Sequence, residues 1–159
     1  MPTNLHTERP PGQRALRRGR VSIPGQTYLL TFTTHQRARI FGETGKASLL
    51  ARSLHGLELW KVTELLAWTL MPDHLHLLVT LSDAESLQAL VQKVKSNTAR
   101  ALKLHDPALG QVWARAFHDR ALRRDEDIRQ VARYIVLNPV RAGLVSRIGD
   151  YPYWDAVWL

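Results

Sequence analysis

The feature that most constrains this chain is the segment over residues 71–79, in which two histidines alternate with apolar residues. His74 and His76 stand two residues apart, and in a β-strand such residues point to the same face of the sheet. Leu75 and Leu77 then point to the opposite face, into a core. Two imidazoles about 6–7 Å apart along one strand can share a metal ion. The segment therefore predicts a sheet that is buried on one side and carries part of a metal site on the other.

Residues 134–139 offer a nucleophile and a third ligand for the same site. A third ligand is needed because two imidazoles are too few to hold a divalent ion tightly. Asp73, the nearest carboxylate, lies at a turn and points away from the histidines, so it is not expected to bind the metal. Tyr134 and Asn138 are four residues apart and would share one helix face. An amide oxygen suits Mg²⁺ or Mn²⁺, and a phenol attacks when a nearby positive charge helps it ionise. The residues leave open the alternative that Tyr134 packs in the core and Asn138 caps the helix before Pro139.

The composition predicts one cytoplasmic domain preceded by an arm. A chain of 159 residues, 45% of them apolar, can bury one sizeable core, which we assign to residues 21–159. Residues 1–20 are polar, rich in proline and arginine and non-periodic, and are predicted to form a basic flexible arm. No apolar run of about 18 residues and no secretory signal are found, so no membrane contact is expected. The lack of cysteine excludes disulfides, thiolate metal sites and cysteine catalysis.

The charge balance indicates a phosphate polymer as partner. The formal net charge is +8, and most of the basic residues are arginines, whose planar guanidinium matches phosphate geometry. A general role in solubility is the alternative explanation.

Hydrophobic periodicity and turn signals give the order of the elements. Strands are predicted over residues 28–35, 65–71, 75–81 and 113–119, and helices over 46–60 with Thr44 as cap, from Ser86 to His105, and from Asp125 to Leu137. A helical turn closed by Gly143 follows, and then an aromatic tail, 151–159, that is expected to dock on the body. The order is that of the ferredoxin-like fold. We therefore predict an α+β protein: a ferredoxin-like βαββαβ antiparallel sheet with helices on one face and an added C-terminal helix that carries Tyr134.

Together, the segments over residues 71–79 and 134–145 resemble the single-tyrosine HUH transposases. The HUH motif is a histidine, a bulky apolar residue and a second histidine, met here by His74, Leu75 and His76. The sequence is most similar to the REP-associated branch of this family, through residues 18–41, 113–120 and the lead-in at Arg133. The resemblance covers residues 18 to 154.

The resemblance implies a specific activity and ligand set. His74, His76 and Asn138 would bind Mg²⁺ or Mn²⁺, and Tyr134 would attack a single-stranded DNA phosphate. The attack would leave a 5′-phosphotyrosine and a free 3′-hydroxyl. The chain would thus be a metal-dependent single-stranded DNA endonuclease and strand transferase that cleaves at REP or BIME hairpins and is associated with the nucleoid. Whether it acts as a monomer or a homodimer stays open.

Basic residues from three parts of the chain are the expected DNA contacts. They would supply affinity through phosphates, while contacts with bases would set the sequence recognised. The predicted contacts are Arg14, Arg17, Arg18 and Arg20 on the arm, Lys93, Lys95, Arg100 and Lys103 on the second helix, and Arg120 on the fourth strand. A solvated basic face is the alternative for each. The aromatic tail either stacks on bases or packs on the core.

Three other functions compete with this interpretation. Two-histidine phosphoesterases share the split ferredoxin-like core but need two His-x-Ser/Thr motifs, and residues 118–120 do not form the second. A HUH replication initiator or relaxase shares the chemistry, but the segment from Tyr134 to Pro139 favours the transposase branch. A non-catalytic nucleic-acid-binding protein of ferredoxin-like fold would use the arm and helices to bind and would not need Tyr134.

Overall fold

Five antiparallel strands form one sheet in the computed structural model, which describes residues 22–158. The predicted arm and its contacts Arg14, Arg17, Arg18 and Arg20 lie outside the described residues. The strands are β1 (Thr27–Thr33), β2 (Glu64–Met71), β3 (His74–Thr80), β4 (His118–Ala121) and β5 (Trp154–Ala156). Their spatial order is β4-β1-β3-β2-β5, which places the histidine-bearing strand at the centre.

The helices cover both faces of the sheet. They are α1 (Thr44–His55), α2 (Leu87–His105), α3 (Ile128–Val136) and the short α4 (Asn138–Arg141). Leu75 and Leu77 of β3 belong to a buried cluster with residues of α1 and α2. Leu78, on the opposite face, belongs to a second cluster with Val131 and Ile135 of α3. The predicted ferredoxin-like sheet with an added tyrosine-bearing helix is confirmed, with α3 on the face that carries the histidines.

The β2–β3 hairpin is tight and sets the register of the site. Met71 pairs with His74, so Pro72 and Asp73 alone form the turn. Thr34 reaches across to this turn, because its backbone N–H donates to the Asp73 carbonyl over 2.9 Å. The end of β1 and the start of β3 are therefore fastened together beside His74.

The predicted fourth strand was misplaced. The structure has β4 at His118–Ala121, and Trp113 forms only an isolated bridge with Thr34. Trp113 and Phe117 lie on the same side, because the two rings are edge-on to Phe32 with centroids 5.9 and 6.3 Å away. The apolar character of this segment thus comes from covering the core, while the true edge strand is short and polar.

Two helix boundaries also differ from the prediction. Helix α1 begins at Thr44 itself, and no side chain caps it. It ends at His55 because the chain turns at Gly56, and a 3₁₀ turn over Glu58–Lys61 continues toward the core. In α3, Asp127 precedes the helix and accepts hydrogen bonds from the backbone N–H groups of Arg129 and Gln130. The helix, predicted to begin at Asp125, thus begins at Ile128, and Asp127 is its cap.

The remaining local predictions are confirmed. Ser86 caps α2 by accepting a bond from the Ala89 N–H. Gly143 adopts a φ of 73°, the left-handed conformation expected of a closing glycine. The aromatic tail docks as β5 on the free edge of β2. None of the helices in the described part of the chain has the length and apolar content needed to span a membrane.

Candidate active site

The two histidines of β3 meet on the face of the sheet that α3 covers. Their ring centroids are 4.8 Å apart and the rings are nearly perpendicular. His76 stands in register with Thr31 on one neighbouring strand and Thr69 on the other. Its Nδ1 atom lies 2.9 Å from the Thr31 hydroxyl, and this contact fixes the orientation of the ring. Nε2 is then the nitrogen that remains for a metal ion. The period-two spacing thus places both rings together, as predicted.

His76 is held in its neutral form. Burial, together with electrostatic repulsion from His74 and Arg141, lowers its pKa to about 3. At neutral pH the ring therefore keeps a lone pair, which is the form in which an imidazole binds metal.

His74 is oriented by a carboxylate at the turn. Its Nδ1 lies 2.7 Å from Oδ1 of Asp73, so this nitrogen carries a proton and donates a hydrogen bond to the carboxylate. Burial alone would raise the pKa of Asp73, but the hydrogen bond and charge of His74, with the charge of Arg37, outweigh it, and the pKa is lowered. Arg37 contributes through Nη1, 3.4 Å from the second carboxylate oxygen. Asp73 thus acts on the ring of His74, and the expectation that its side chain points away from the histidines is wrong.

The segment that carries Arg37 is strained. Gln36 and Arg37 have φ values of 54° and 56°, in the left-handed region that residues with a Cβ atom rarely adopt. This conformation follows directly after the Thr34 contact with the turn and directs Arg37 toward Asp73. Strain of this kind persists only where surrounding contacts hold it, and it is concentrated at functional sites.

Asn138 completes the group from a distant part of the chain. Its amide nitrogen lies 3.3 Å from Nε2 of His74, across a sequence separation of 64 residues. A half-turn of the amide exchanges its two ends and would present the oxygen at the same position. Helix α3 ends at Val136, and Asn138 begins α4, so the kink at Leu137 directs the amide toward the sheet.

Tyr134 and Asn138 are linked by Arg141. The Arg141 guanidinium lies 3.8 Å from the centroid of the Tyr134 ring, and its Nη2 lies 3.5 Å from the Asn138 amide oxygen. The Tyr134 side chain is largely exposed, at 62%, and within residues 22–158 its hydroxyl makes no hydrogen bond. Tyr134 is therefore a surface residue beside the histidine pair, not a core residue.

The donor set fits a divalent ion with a mixed shell. The structure brings together two imidazoles and one amide, and no group of three or more His, Cys, Asp or Glu side chains that could hold a metal occurs in the described part of the chain. Imidazole nitrogen is a ligand for divalent transition ions such as Mn²⁺, amide oxygen suits both Mg²⁺ and Mn²⁺, and three protein ligands leave positions for phosphate oxygens. His74, His76 and Asn138 thus fit the predicted Mg²⁺ or Mn²⁺ site.

The basic residues predicted as DNA contacts have different environments. Lys95 is turned inward, where its ammonium donates to the carbonyls of Ala114 and Ala116 at 2.8 and 3.0 Å. Lys93 pairs with Glu85 at 2.7 Å, and Arg120 makes a two-oxygen contact with Glu126. Arg100 and Lys103 are exposed.

A wide cleft of about 700 Å³ separates α2 from the segment over residues 110–115. Lys103 and Arg115 are among the residues that line it. The same segment is bonded to the site end of the sheet, because the Ala114 N–H donates to the Thr33 carbonyl over 2.9 Å. Thr33 is in turn the register partner of His74. The segment that forms one wall of the cleft is therefore bonded to the end of β1 beside His74, while α2, the other wall, packs on the opposite face of the sheet.

Three site residues were not assigned these roles from the sequence: Asp73 as a positioning group, its partner Arg37, and Arg141. The signal for Asp73 was its place directly before a histidine at a tight turn. Arg141 lies seven residues after Tyr134, a spacing that would place the two on one face of a continuous helix. Arg37 gave no local signal, because its contact with Asp73 spans 36 residues of sequence.

The family model for the IS200-like transposases matches residues 22–138, which include both histidines, Tyr134 and Asn138. The chain belongs to this family. The predictions of a transposase and of an enzyme are thereby confirmed, as is the resemblance to tyrosine transposases.

Individual relatives show which members of the family this chain is similar to. The chain is 25% identical over 136 residues to the REP-associated tyrosine transposase of Escherichia coli (strain K12), covering 84% of this chain and 78% of that protein. It is 29% identical over 100 residues to a putative REP-associated tyrosine transposase of Haemophilus influenzae, covering 57% of each chain. A solved structure of a REP-associated tyrosine transposase bound to a REP hairpin has the same fold, with a TM-score of 0.64 and 24% identity over 85% of this chain and 79% of that one.

Proposed function

We propose that this chain is a metal-dependent single-stranded DNA endonuclease and strand transferase that cleaves at REP-type hairpins. The observation that carries the proposal is the contact between Asn138 and His74, made across 64 residues of sequence. It gathers the three proposed ligands at one point and sets α4, with Arg141 and the neighbouring Tyr134, beside them. The family supports a transposase, and the solved relative was bound to a REP hairpin.

The three ligands would hold Mg²⁺ or Mn²⁺. When bound, the ion would act as a Lewis acid on the scissile phosphate and orient it. For this, the Asn138 oxygen has to turn from Arg141 toward the histidines. The amide nitrogen would then face the guanidinium, and since both groups are donors, Arg141 would be released.

Tyr134 is the proposed nucleophile. Its hydroxyl oxygen would form a bond to phosphorus while the bond from phosphorus to the 3′-oxygen breaks. The products would be a 5′-phosphotyrosine and a free 3′-hydroxyl, and the reverse attack by a 3′-hydroxyl would rejoin a strand and free the phenol. The exposure of Tyr134 supports this role, because an incoming phosphate can reach the hydroxyl without displacing core residues.

We assign Arg141 to the reacting phosphate. Its guanidinium lies 3.8 Å from the Tyr134 ring centroid, where it would stabilise charge on the phenolate oxygen and on the phosphate as the bond forms. A cation at this place is useful in both directions of the reaction, because the phenolate is the leaving group when the strand is rejoined.

The DNA path would follow the cleft between α2 and residues 110–115. Exposed Lys103 and Arg115 line that cleft, and Arg100 continues the basic surface on α2. Lys95 supports the same segment from inside and is not proposed as a contact. The predicted division into a catalytic domain over residues 21–159 and a DNA-binding arm over residues 1–20 remains part of this proposal.

A covalent adduct tests the proposal directly. The protein is incubated with a labelled single-stranded REP-like hairpin and Mg²⁺ or Mn²⁺, and a denaturing gel is examined for a protein–DNA adduct. The adduct should form with the natural protein and be lost in Tyr134→Phe and in His76→Ala. Tyr153→Phe is the matched control, since it removes a phenol on the opposite face of the sheet and should leave the adduct intact.

The alternative function gives a different result. A non-catalytic DNA-binding protein would retain the hairpin on a native gel with no adduct in either metal, and Tyr134→Phe would change nothing. Binding without an adduct on several hairpins would therefore overturn the proposed activity.

A further inference from the structure

A cavity of about 270 Å³ lies between α3 and the C-terminal tail. Among the residues that line it, Ala132, Val136 and Ala156 are buried and form an apolar floor. Arg129 and Trp158 are exposed and stand at its rim. The volume is below the usual range for a drug-sized ligand, so the cavity suits a single ring system.

The cavity opens on the flank of α3 opposite Tyr134. Tyr134 is two residues from both Ala132 and Val136, and two residues correspond to about 200° of rotation in an α-helix. The exposed ridge between the two flanks carries Arg129 and Arg133, which also line the cavity. A polyanion that crosses this ridge from Tyr134 would therefore pass over two cations and arrive at the cavity.

The rim has the chemistry of a stacking site. The Arg129 guanidinium lies 5.9 Å from the centroid of the Trp158 ring. Trp154 also lines the cavity and is fixed by a hydrogen bond from its indole N–H to the Ile148 carbonyl. No acidic side chain lines the cavity among the described residues. Flat rings beside guanidinium groups favour a planar ligand attached to a phosphate chain, which is the chemistry of a nucleotide.

We propose that this cavity receives one unpaired base of the bound single strand. The proposal rests on the function proposed above, because Tyr134 fixes where the strand runs. A helix is about 10–12 Å across, and stacked nucleotides rise about 3.4 Å each. The base in the cavity would therefore be about three nucleotides from the phosphate that Tyr134 attacks.

Abasic scanning tests the proposal. A labelled single strand that contains the hairpin and the cleavage site is prepared as a series, each member lacking one base within six nucleotides of the scissile phosphate. The dissociation constant of each is measured with the full chain, and adduct formation is recorded in parallel. One abasic position should weaken binding about tenfold, the effect of losing one stacked base.

Two variants and one control identify the pocket. In Trp158→Ala, and in Arg129→Gln, the intact strand should bind about tenfold more weakly and the sensitive abasic position should cost nothing further. Val157→Ala alters the neighbouring residue, which lines a different cavity, and should behave like the natural protein. Equal sensitivity to the abasic series in Trp158→Ala and the natural protein would overturn the base pocket, as would no sensitive position at all. In either case the adduct would still form. Loss of binding and adduct with the intact strand would instead show that the proposed function itself is wrong.

Discussion

The carboxylate of Asp73 lies 2.7 Å from Nδ1 of His74, on the side of the ring away from Asn138. Each nitrogen of this imidazole therefore has its own partner: Asp73 fixes the tautomer at Nδ1, and the Asn138 amide lies beside Nε2, where the proposed metal would bind. An orienting carboxylate behind a ligand histidine raises its basicity and holds its ring in place. The turn residue that seemed unable to bind the metal thus acts on the site through the histidine beside it.

Asp73→Asn is expected to weaken Mn²⁺ binding by about 10–100-fold, because the amide cannot hold the His74 ring as the carboxylate does. The measurement is a titration with Mn²⁺ followed by electron paramagnetic resonance. Asp83→Asn, at an exposed carboxylate after β3, is the matched control and should bind Mn²⁺ normally. Normal binding in Asp73→Asn would show that the carboxylate does not support the ligand.

Arg141→Gln is expected to change binding and cleavage in opposite directions. Removal of a cation that holds the Asn138 oxygen should tighten Mn²⁺ binding several-fold. Adduct formation should slow by about 100-fold, as is typical when one charge-stabilising group is lost. Single-turnover adduct assays and the Mn²⁺ titration measure the two effects. Arg52→Gln, at an exposed position of α1, is the control and should change neither Mn²⁺ binding nor adduct formation. An unchanged rate of adduct formation in Arg141→Gln would show that Arg141 takes no part in the reaction.

Thr31 and Thr69 flank His76 in the same row of the sheet and offer a matched pair. Thr31→Val removes the hydrogen bond to Nδ1 of a largely buried ring and should cost about 1–3 kcal/mol of the free energy of unfolding. Thr69→Val should be neutral or stabilising, since the buried Thr69 hydroxyl has no partner among the described residues. Urea unfolding compares the two variants, and equal losses would contradict the assignment of the His76 contact.

Substitutions of Lys95 and Lys103 should have separate effects, the first on stability and the second on DNA binding. Lys95→Ala removes two hydrogen bonds that hold residues 114–116 and should lower the free energy of unfolding by about 1–3 kcal/mol. Lys103→Ala should leave stability unchanged and weaken hairpin binding, with a smaller dependence of binding on salt concentration. A gel-shift series at several salt concentrations and urea unfolding give the two readouts. The reverse pattern would place the DNA contact at Lys95.

The partly buried phenol of Tyr151 leads us to expect a loss of stability at alkaline pH. Burial, followed by the neighbouring Tyr153, raises the pKa of Tyr151 to about 12, whereas an unfolded tyrosine titrates near 10. Its stabilising contribution is complete below pH 10 and declines as the pH rises toward 12, because only the neutral phenol donates to the Leu70 carbonyl. The natural protein should therefore exceed Tyr151→Phe in free energy of unfolding by about 1 kcal/mol at pH 8 and by less at pH 11. A constant difference would argue against the shifted pKa.

Much of the fold could be predicted from the sequence because the patterns that indicate its strands and helices are local. The alternation around His74 located the central strand, and leucine spacing located the helices. The edge strand β4 was predicted in the wrong place, since three of its four residues are polar and the apolar residues just before it pack on the core instead. Helix α1 was drawn too long because the leucines beyond Gly56 continue the apolar pattern in a different conformation.

The candidate site could be predicted from the sequence only where its residues are close together along the chain. The histidine pair and the spacing of Tyr134 and Asn138 are local, and the structure places these residues together. The supporting contacts are not local, because Arg37 reaches Asp73 through a loop in a strained conformation that its residue types do not suggest. The orientation of Asn138 likewise depends on the kink at Leu137.

The docking of β5 on the edge of β2 bears on the tendency of a proteolysed protein to aggregate. Strand β2 is long and almost wholly apolar, and β5 covers only part of its outer edge, at residues 67–69. A bare edge of this kind is a template on which other chains can add as further strands. Residues 154–156 therefore shield part of this edge, and their proteolytic loss would expose a longer stretch on which aggregates could start.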